Sequence, residues 1–263
     1  MKIGIIGSGN MATALLSGFL SSNIVETENV YLSDTDEEKL ACWKSKGVNC
    51  STDNNLVAEN SNIVIFAVKP NVLPKVLKDI KISESKIYLS IAAGFSIEKI
   101  QGFLGDAAKV VRAMPNTPAL VNCGMSSLSP NKNIEKNDID AVKTIFDSFG
   151  KSEIVDESLI DVVIGASGSS PAYAFMFIEA MADCAVSYGM KREMAYEFCA
   201  QAVMGAAKML LETKKHPGEL KDMVCSPGGT TIEAVKTLEN EGMRSAVING
   251  MASCIEKSIE MSK

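Results

Sequence analysis

Two stretches of this 263-residue chain combine residue types and spacings that can do chemistry. The first is "IGIIGSGNMATALLSGF", close to the start, with the pattern strand, Gly-rich turn, helix. Gly7-Ser8-Gly9-Asn10-Met11-Ala12 matches G-x-G-x-x-G/A, a fingerprint for a dinucleotide. Gly7 permits the tight turn after Ile6, Gly9 removes the side chain that would block a pyrophosphate, and Ala12 is small enough for the helix to lie close to the strand. The second stretch is "SPGGTTIEAV", residues 226–235. Ser226, Gly228 and Gly229 lead into Thr230 and Thr231, and Thr230 with Glu233 fits a capping box. A helix is expected to start at Thr230, leaving unpaired backbone N–H groups and partial positive charge at that end. Glycines ahead of it let an anion approach the backbone. Taken alone, the stretch reads equally as a well-made helix start or as a carboxylate or phosphate pocket.

Other candidates sit where the strands of such a fold would end. Asp34 closes "VYLSD" near the spacing for a carboxylate that accepts hydrogen bonds from the adenosine ribose of NAD. It would repel a 2′-phosphate, and no Arg or Lys stands beside it in the sequence, so these residues favour NADH over NADPH. Its alternative role is to open a turn. "FAVKP" supplies Ala67, Val68, Lys69 and Pro70, and "SIAAG" supplies Ala92, Ala93 and Gly94. Small residues at a strand's carboxyl end let a flat ring or sugar lie against the backbone. Lys69 reads as a phosphate or ribose contact, or as a solvated loop lysine. "RAMPNTPA", stiffened by two prolines, presents Asn116 and Thr117 as a turn or as a wall of a nicotinamide pocket. His216 precedes Pro217 at a helix start and reads as structural rather than as an acid. Cys225 has no His or Asp spaced to activate it and reads as packing.

The elements that must position these residues change character along the chain. β-Branched runs at 2–6, 30–33, 63–68, 87–92, 109–113, 124–128 and 152–155 alternate with helical patterns such as 11–21, 37–46, 71–79 and 137–149. This predicts an α/β Rossmann-type N-terminal domain, residues 1–156, with a mostly parallel sheet covered on both faces. The closely spaced runs 109–113 and 124–128 suggest an antiparallel edge. From 157 to 263 only helical patterns follow, at 157–165, 171–188, 191–213, 217–224, 230–240 and 243–261. "AYAFMFIEAMADCAVSYG" and "AYEFCAQAVMGAAKMLLE" are apolar or small on most faces, which demands burial. A domain of this size cannot hide both, so a homodimer with a large apolar interface is expected. The alternative is a tight monomeric bundle against the sheet domain.

Composition excludes several function classes. The net charge is −6, from 26 basic and 32 acidic residues, with no basic stripe to hold a nucleic acid. Seven cysteines contain no C-x-x-C pair and one histidine is present, so no metal site is expected; the thiols read as free and mostly buried. The most apolar stretch, 171–188, is interrupted by Glu179 and Asp183 and is not expected to cross a membrane. "MKIGIIG" reads as a strand rather than a leader, which points to the cytoplasm.

In order along the chain, "GSGNMA", "AVKP", "AAG", "MPNTP", "GSSPAY" and "HPGELKDMVCSPGGTTIEAV" resemble the pyrroline-5-carboxylate reductase family. The resemblance runs from the first residues to beyond 250 and is most specific over 216–235. It implies hydride transfer from NADH or NADPH to the C=N bond of the small-molecule substrate pyrroline-5-carboxylate, yielding L-proline in the last step of proline biosynthesis. It also implies a helical C-terminal dimerisation domain, with dimers of some members assembling into decamers. By the same resemblance residues 7–12 hold the pyrophosphate, Asn54 lies near the adenine, and 67–70 and 92–94 flank the cofactor further along. Residues 226–231 would bind the substrate carboxylate, the Thr231 hydroxyl would hydrogen-bond the ring nitrogen, and Glu157 matches an acidic position near the substrate. Ser33-Asp34-Thr35 departs from NADPH-preferring members, which often carry Ser, Asn or Arg around this strand end. A β-hydroxyacid dehydrogenase-like enzyme is the nearest rival. Such enzymes usually need a lysine on a long helix of the C-terminal domain, and "SGSSPAYAF" offers none. A non-catalytic nucleotide sensor would have little use for the 226–231 loop.

Overall fold

The computed structural model describes residues 1–262. Eight strands form one sheet in the order β3-β2-β1-β4-β5-β6-β7-β8. They are β1 (Ile3–Ile6), β2 (Val30–Ser33), β3 (Asn49–Ser51), β4 (Ile63–Phe66), β5 (Ile87–Ser90), β6 (Lys109–Met114), β7 (Gly124–Pro130) and β8 (Gly150–Ile154). Every neighbouring pair is parallel except β6 with β7. Helices α1 (Asn10–Ser21), α2 (Glu37–Lys44), α3 (Asn54–Glu59), α4 (Leu73–Asp79), α5 (Ile97–Leu104) and α6 (Lys136–Asp147) are interleaved with the strands. After them come α7 (Ile160–Val163), a π-turn (Ile164–Gly168), α8 (Ser170–Ser187), α9 (Arg192–Thr213), α10 (Pro217–Val224), α11 (Thr230–Asn240) and α12 (Met243–Ser262).

The central strands β1, β4 and β5 are buried at every residue, as parallel strands sandwiched between helices must be. Alternate side chains feed two apolar layers. Ile3 and Ile5 meet Leu15, Phe19, Phe146 and Phe149 on one face. Val64, Phe66 and Tyr88 meet Val57, Leu77 and Ile100 on the other. The α/β Rossmann-type expectation is therefore met.

Three elements were not anticipated: β3, α3 and α5. Strand β3 is Asn-Cys-Ser, too short and polar to carry a period-two pattern, and it exists because its backbone pairs with β2 at the sheet edge. The β6–β7 pair is antiparallel as expected, but it is not the edge, because β8 lies outside it and runs parallel to β7. The change from strands to helices falls just after Ile154. The compact units divide later. One comprises residues 1–169 with the chain from Cys254 onward, and the other is Ser170–Ser253. Residues 157–169 and the end of α12 belong to the sheet unit because they bond within it: Glu157 to Arg112, Ser167 to Asn116, and Ser258 to Asp161.

The helical unit has almost no interior of its own. Ala182 is the buried residue of α8 and Ala195 that of α9, and α10 and α11 have none. Phe175, Met176 and Phe198 are 66%, 69% and 63% exposed in the single chain. The apolar faces of α8 and α9 are thus left uncovered in the single chain, as the expected dimer interface requires. Glu179 and Asp183 do not break the helical run Glu157–Ser187, whose mean hydropathy of 1.2 over its most apolar window meets the length and composition of a membrane span. The thiols are free but not mostly buried: Cys42, Cys123 and Cys184 are exposed, and Cys50, Cys199, Cys225 and Cys254 are half-buried.

Candidate active site

Strand β1 delivers the chain into the Gly-rich turn. Gly7 sits at φ 101°, and a Cβ there would stand 2.7 Å from the Ala67 carbonyl oxygen. Its N–H donates to the Ser33 carbonyl at 2.7 Å. The Ser8 N–H and hydroxyl both donate to Asp34 Oδ2 at 2.7 Å, and the Asp36 N–H donates to Asp34 Oδ1 at 3.0 Å. Gly9 is the N-cap of α1, makes no side-chain cap, and has nothing within 4 Å of the place a Cβ would take. Asn10 and Met11 open the helix and Ala12 is buried behind it. An uncapped helix start beside an open cradle fits a pyrophosphate. The residues present therefore suit a nicotinamide dinucleotide.

Asp34 has a second task that its position in the sequence does not reveal. It anchors the glycine turn to the end of β2, and it also opens the turn through Asp36. Burial raises its pKa, but the Ser8 hydroxyl, the Asp36 and Ser8 N–H groups and the charge of Lys39 outweigh that and hold it below the ordinary value. Lys39, on α2, is thus a nearby cation after all. The remaining cofactor candidates lie at the carboxyl ends of β2, β4 and β5. The Ser33 hydroxyl donates to Asn54 Oδ1 at 2.7 Å, bringing α3 to the tip of β2. After β4, Ala67 donates to the Ile6 carbonyl at 2.8 Å. Val68 is half-buried and Lys69 and Pro70 are exposed. After β5, Ala92 is buried, Ala93 and Gly94 are half-buried, and Gly94 has φ 76°.

Asn116 and Glu157 are occupied by the scaffold. Asn116 Nδ2 donates to the Ser167 carbonyl of the π-turn at 3.0 Å, and its Oδ1 accepts from Met125 N–H at 2.9 Å. It braces the end of β6 rather than facing a ligand. Glu157 Oε1 accepts from Arg112 Nη1 at 3.0 Å and from the Ile97 N–H at 2.8 Å. Arg112 escaped the sequence reading, although a charge inside the apolar run "KVVRAM" signals that a buried partner must exist.

In the helical unit, residues 226–231 form the turn into α11. The Thr230 capping box is not formed. The N-cap is Gly229, at φ −81° and ψ 172°, and no side chain caps the helix. The helix does start at Thr230, as expected, but Gly228 at φ 69° turns the chain so that Gly229, its N–H bonded to the Ser226 carbonyl at 3.0 Å, takes the cap position. Thr230 and Thr231 therefore occupy the first two helical positions, and the amides there are left without a side-chain acceptor. Ser226, Gly228 and Thr230 are exposed; Gly229 and Thr231 are half-exposed. His216 is structural, being the N-cap of α10 with its Nδ1 accepting from Gly218 N–H at 3.1 Å.

Two family models match the chain. Residues 157–261 match the model for pyrroline-5-carboxylate reductase dimerisation, and residues 2–94 match that for NADP oxidoreductase, coenzyme F420-dependent. A pyrroline-5-carboxylate reductase of Escherichia coli is 51% identical over 265 residues, covering 100% of this chain and 98% of that protein. One of Methanosarcina acetivorans is 46% identical with the same coverage. The crystal structure of the Plasmodium falciparum pyrroline carboxylate reductase with NADP bound superposes with a TM-score of 0.90 at 32% identity, covering 100% of this chain and 98% of that one. Fold and site together define an NAD(P)H-dependent oxidoreductase with a Rossmann-type domain and a helical dimerisation domain. Within that class, the chain belongs to the pyrroline-5-carboxylate reductase family.

Proposed function

We propose that this enzyme reduces 1-pyrroline-5-carboxylate to L-proline as a homodimer in the cytoplasm, and that it prefers NADH. The observation that carries the reaction is the identity of 51% over the whole chain to the Escherichia coli protein of that name. The uncapped start of α11 is its structural counterpart. A substrate with one carboxylate needs an anion site, and backbone N–H groups at a helix start supply one without a basic side chain. The dipole contributes about 0.3–2 kcal/mol, and charge-assisted hydrogen bonds add to it. Residues 226–231 thus fix the ring, and the Thr231 hydroxyl orients its nitrogen. Residues 6–12, 34, 54, 67–70 and 92–94 would hold a reduced nicotinamide dinucleotide, which would supply the hydride for the imine carbon. The nitrogen takes its proton from water, so no strong general acid is required of the chain. Holding the reacting partners in register accounts for much of the rate.

The preference for NADH rests on Asp34. Its carboxyl is held ionised at neutral pH and has acceptor capacity left on Oδ1 for a ribose hydroxyl, while its charge opposes a 2′-phosphate. Steady-state rates with pyrroline-5-carboxylate and each cofactor test this directly. The kcat/KM for NADH should exceed that for NADPH, and Asp34→Ser should shift the ratio toward NADPH. An unmoved ratio refutes the role given to Asp34.

A further inference from the structure

We infer that Glu157 and Arg112 are positioning residues for the cofactor loop, residues 92–96, rather than substrate contacts. The inference rests on the reading that this loop receives the nicotinamide half of the cofactor. Glu157 Oε1 joins two groups: the Ile97 N–H, at the first position of α5, and Arg112 Nη1 on β6. The loop is thereby tied at its far end to the sheet that fixes its near end, because β5 and β6 are neighbours and Ser90 pairs with Arg112 in register. Ser96 adds a local cap to Lys99 N–H at 3.2 Å. Lys99 Nζ in turn donates to the Ser262 carbonyl at 2.7 Å, so the last turn of α12 is fastened to the first turn of α5.

The energetics argue for position over stability. The Arg112 side chain is 7% exposed, and among the described residues its Nε has no hydrogen-bond partner. A buried ion pair with an unsatisfied donor adds little net stability, and apolar replacements of such pairs are often neutral or stabilising. What the pair supplies is a fixed register between α5 and β6. The neighbouring Ala93 and Gly94 make that register consequential on the reading above, and Gly94, at φ 76°, has the Met261 carbonyl oxygen 3.3 Å from the place a Cβ would take.

The test separates binding of the two cofactor halves. Wild type, Arg112→Met/Glu157→Gln and Ile97→Pro are titrated with NADH and with ADP-ribose, and thermal unfolding is followed without ligand. Ile97→Pro removes the N–H that Glu157 accepts, at a first helical position where proline is tolerated, together with a buried isoleucine side chain, so the two affinities are compared with each other within that variant. The expected result is an NADH Kd raised about tenfold in both variants, with the ADP-ribose Kd within about twofold of wild type. Either variant alone suffices should the other fail to fold. Equal losses for both ligands, or no loss for either, overturn the inference. Ala93→Val is the control for the loop itself, because Ala93, unlike Gly94, needs no positive φ. If it leaves NADH affinity unchanged, the loop does not receive the nicotinamide and the reading beneath the inference falls. If it weakens NADH while the pair variants do not, the inference alone falls.

Discussion

Gly7 and Gly9 lie two positions apart in one turn, and the structure gives the same substitution opposite consequences at each. At Gly9 a methyl group meets nothing within 4 Å, and the backbone, φ −70° and ψ −177°, suits any L-residue. Alanine is a poorer N-cap by about 0.5–1 kcal/mol, while its stiffer unfolded chain returns about 0.4–1 kcal/mol. Gly9→Ala should therefore leave the melting temperature within about 2 °C of wild type. Its methyl nevertheless projects into the cradle, where it holds a phosphate oxygen off the helix amides. Losing one charge-assisted hydrogen bond costs about 1.5–3 kcal/mol, so the NADH Kd should rise roughly 10- to 100-fold. At Gly7 the same methyl meets the Ala67 carbonyl at 2.7 Å and forces a side chain onto φ 101°. The positive φ costs about 1–2 kcal/mol and the collision about 1–3 kcal/mol. Gly7→Ala should lower the melting temperature by roughly 5–15 °C in the absence of ligand. Thermal unfolding and NADH fluorescence titration read both quantities. Wild-type NADH affinity in Gly9→Ala would refute the placement of the pyrophosphate, whatever Gly7→Ala does.

Two further outcomes follow from the helical unit. Thr231→Ala should lower kcat about tenfold, the order of one hydrogen bond, while NADH affinity is unchanged; wild-type kcat and KM would remove Thr231 from the mechanism. Phe198→Asp places a charge on a 63%-exposed apolar face of α9, and light scattering should show the dimer giving way to monomer; an intact dimer would place the interface elsewhere.

Legibility in the sequence followed the range of the interactions. The Gly-rich turn and the buried runs of β1, β4 and β5 are local patterns, and they could be read directly. His216 was read correctly for the same reason, since a cap depends on its own helix. Strand β3 exists only through its partner, and Arg112 makes sense only beside Glu157, 45 positions away. The start of α11 at Thr230 was legible, but its cap was not: a positive φ at Gly228 puts Gly229 in the cap position, a backbone choice that side-chain spacing does not encode. Asp34 reads in the sequence as a ribose acceptor or as a turn opener, and its bond from the Asp36 N–H bears out the second; its bonds from Ser8, 26 positions away, anchor the glycine turn and could not be read locally.

A crystal structure of the enzyme with oxidised cofactor and L-proline tests the anion site most directly. The carboxylate of proline should lie within hydrogen-bonding distance of the backbone amides at Thr230 and Thr231, with its ring against the nicotinamide. Proline held by a cationic side chain elsewhere, with the α11 amides bonded only to water, would contradict the mechanism at its root.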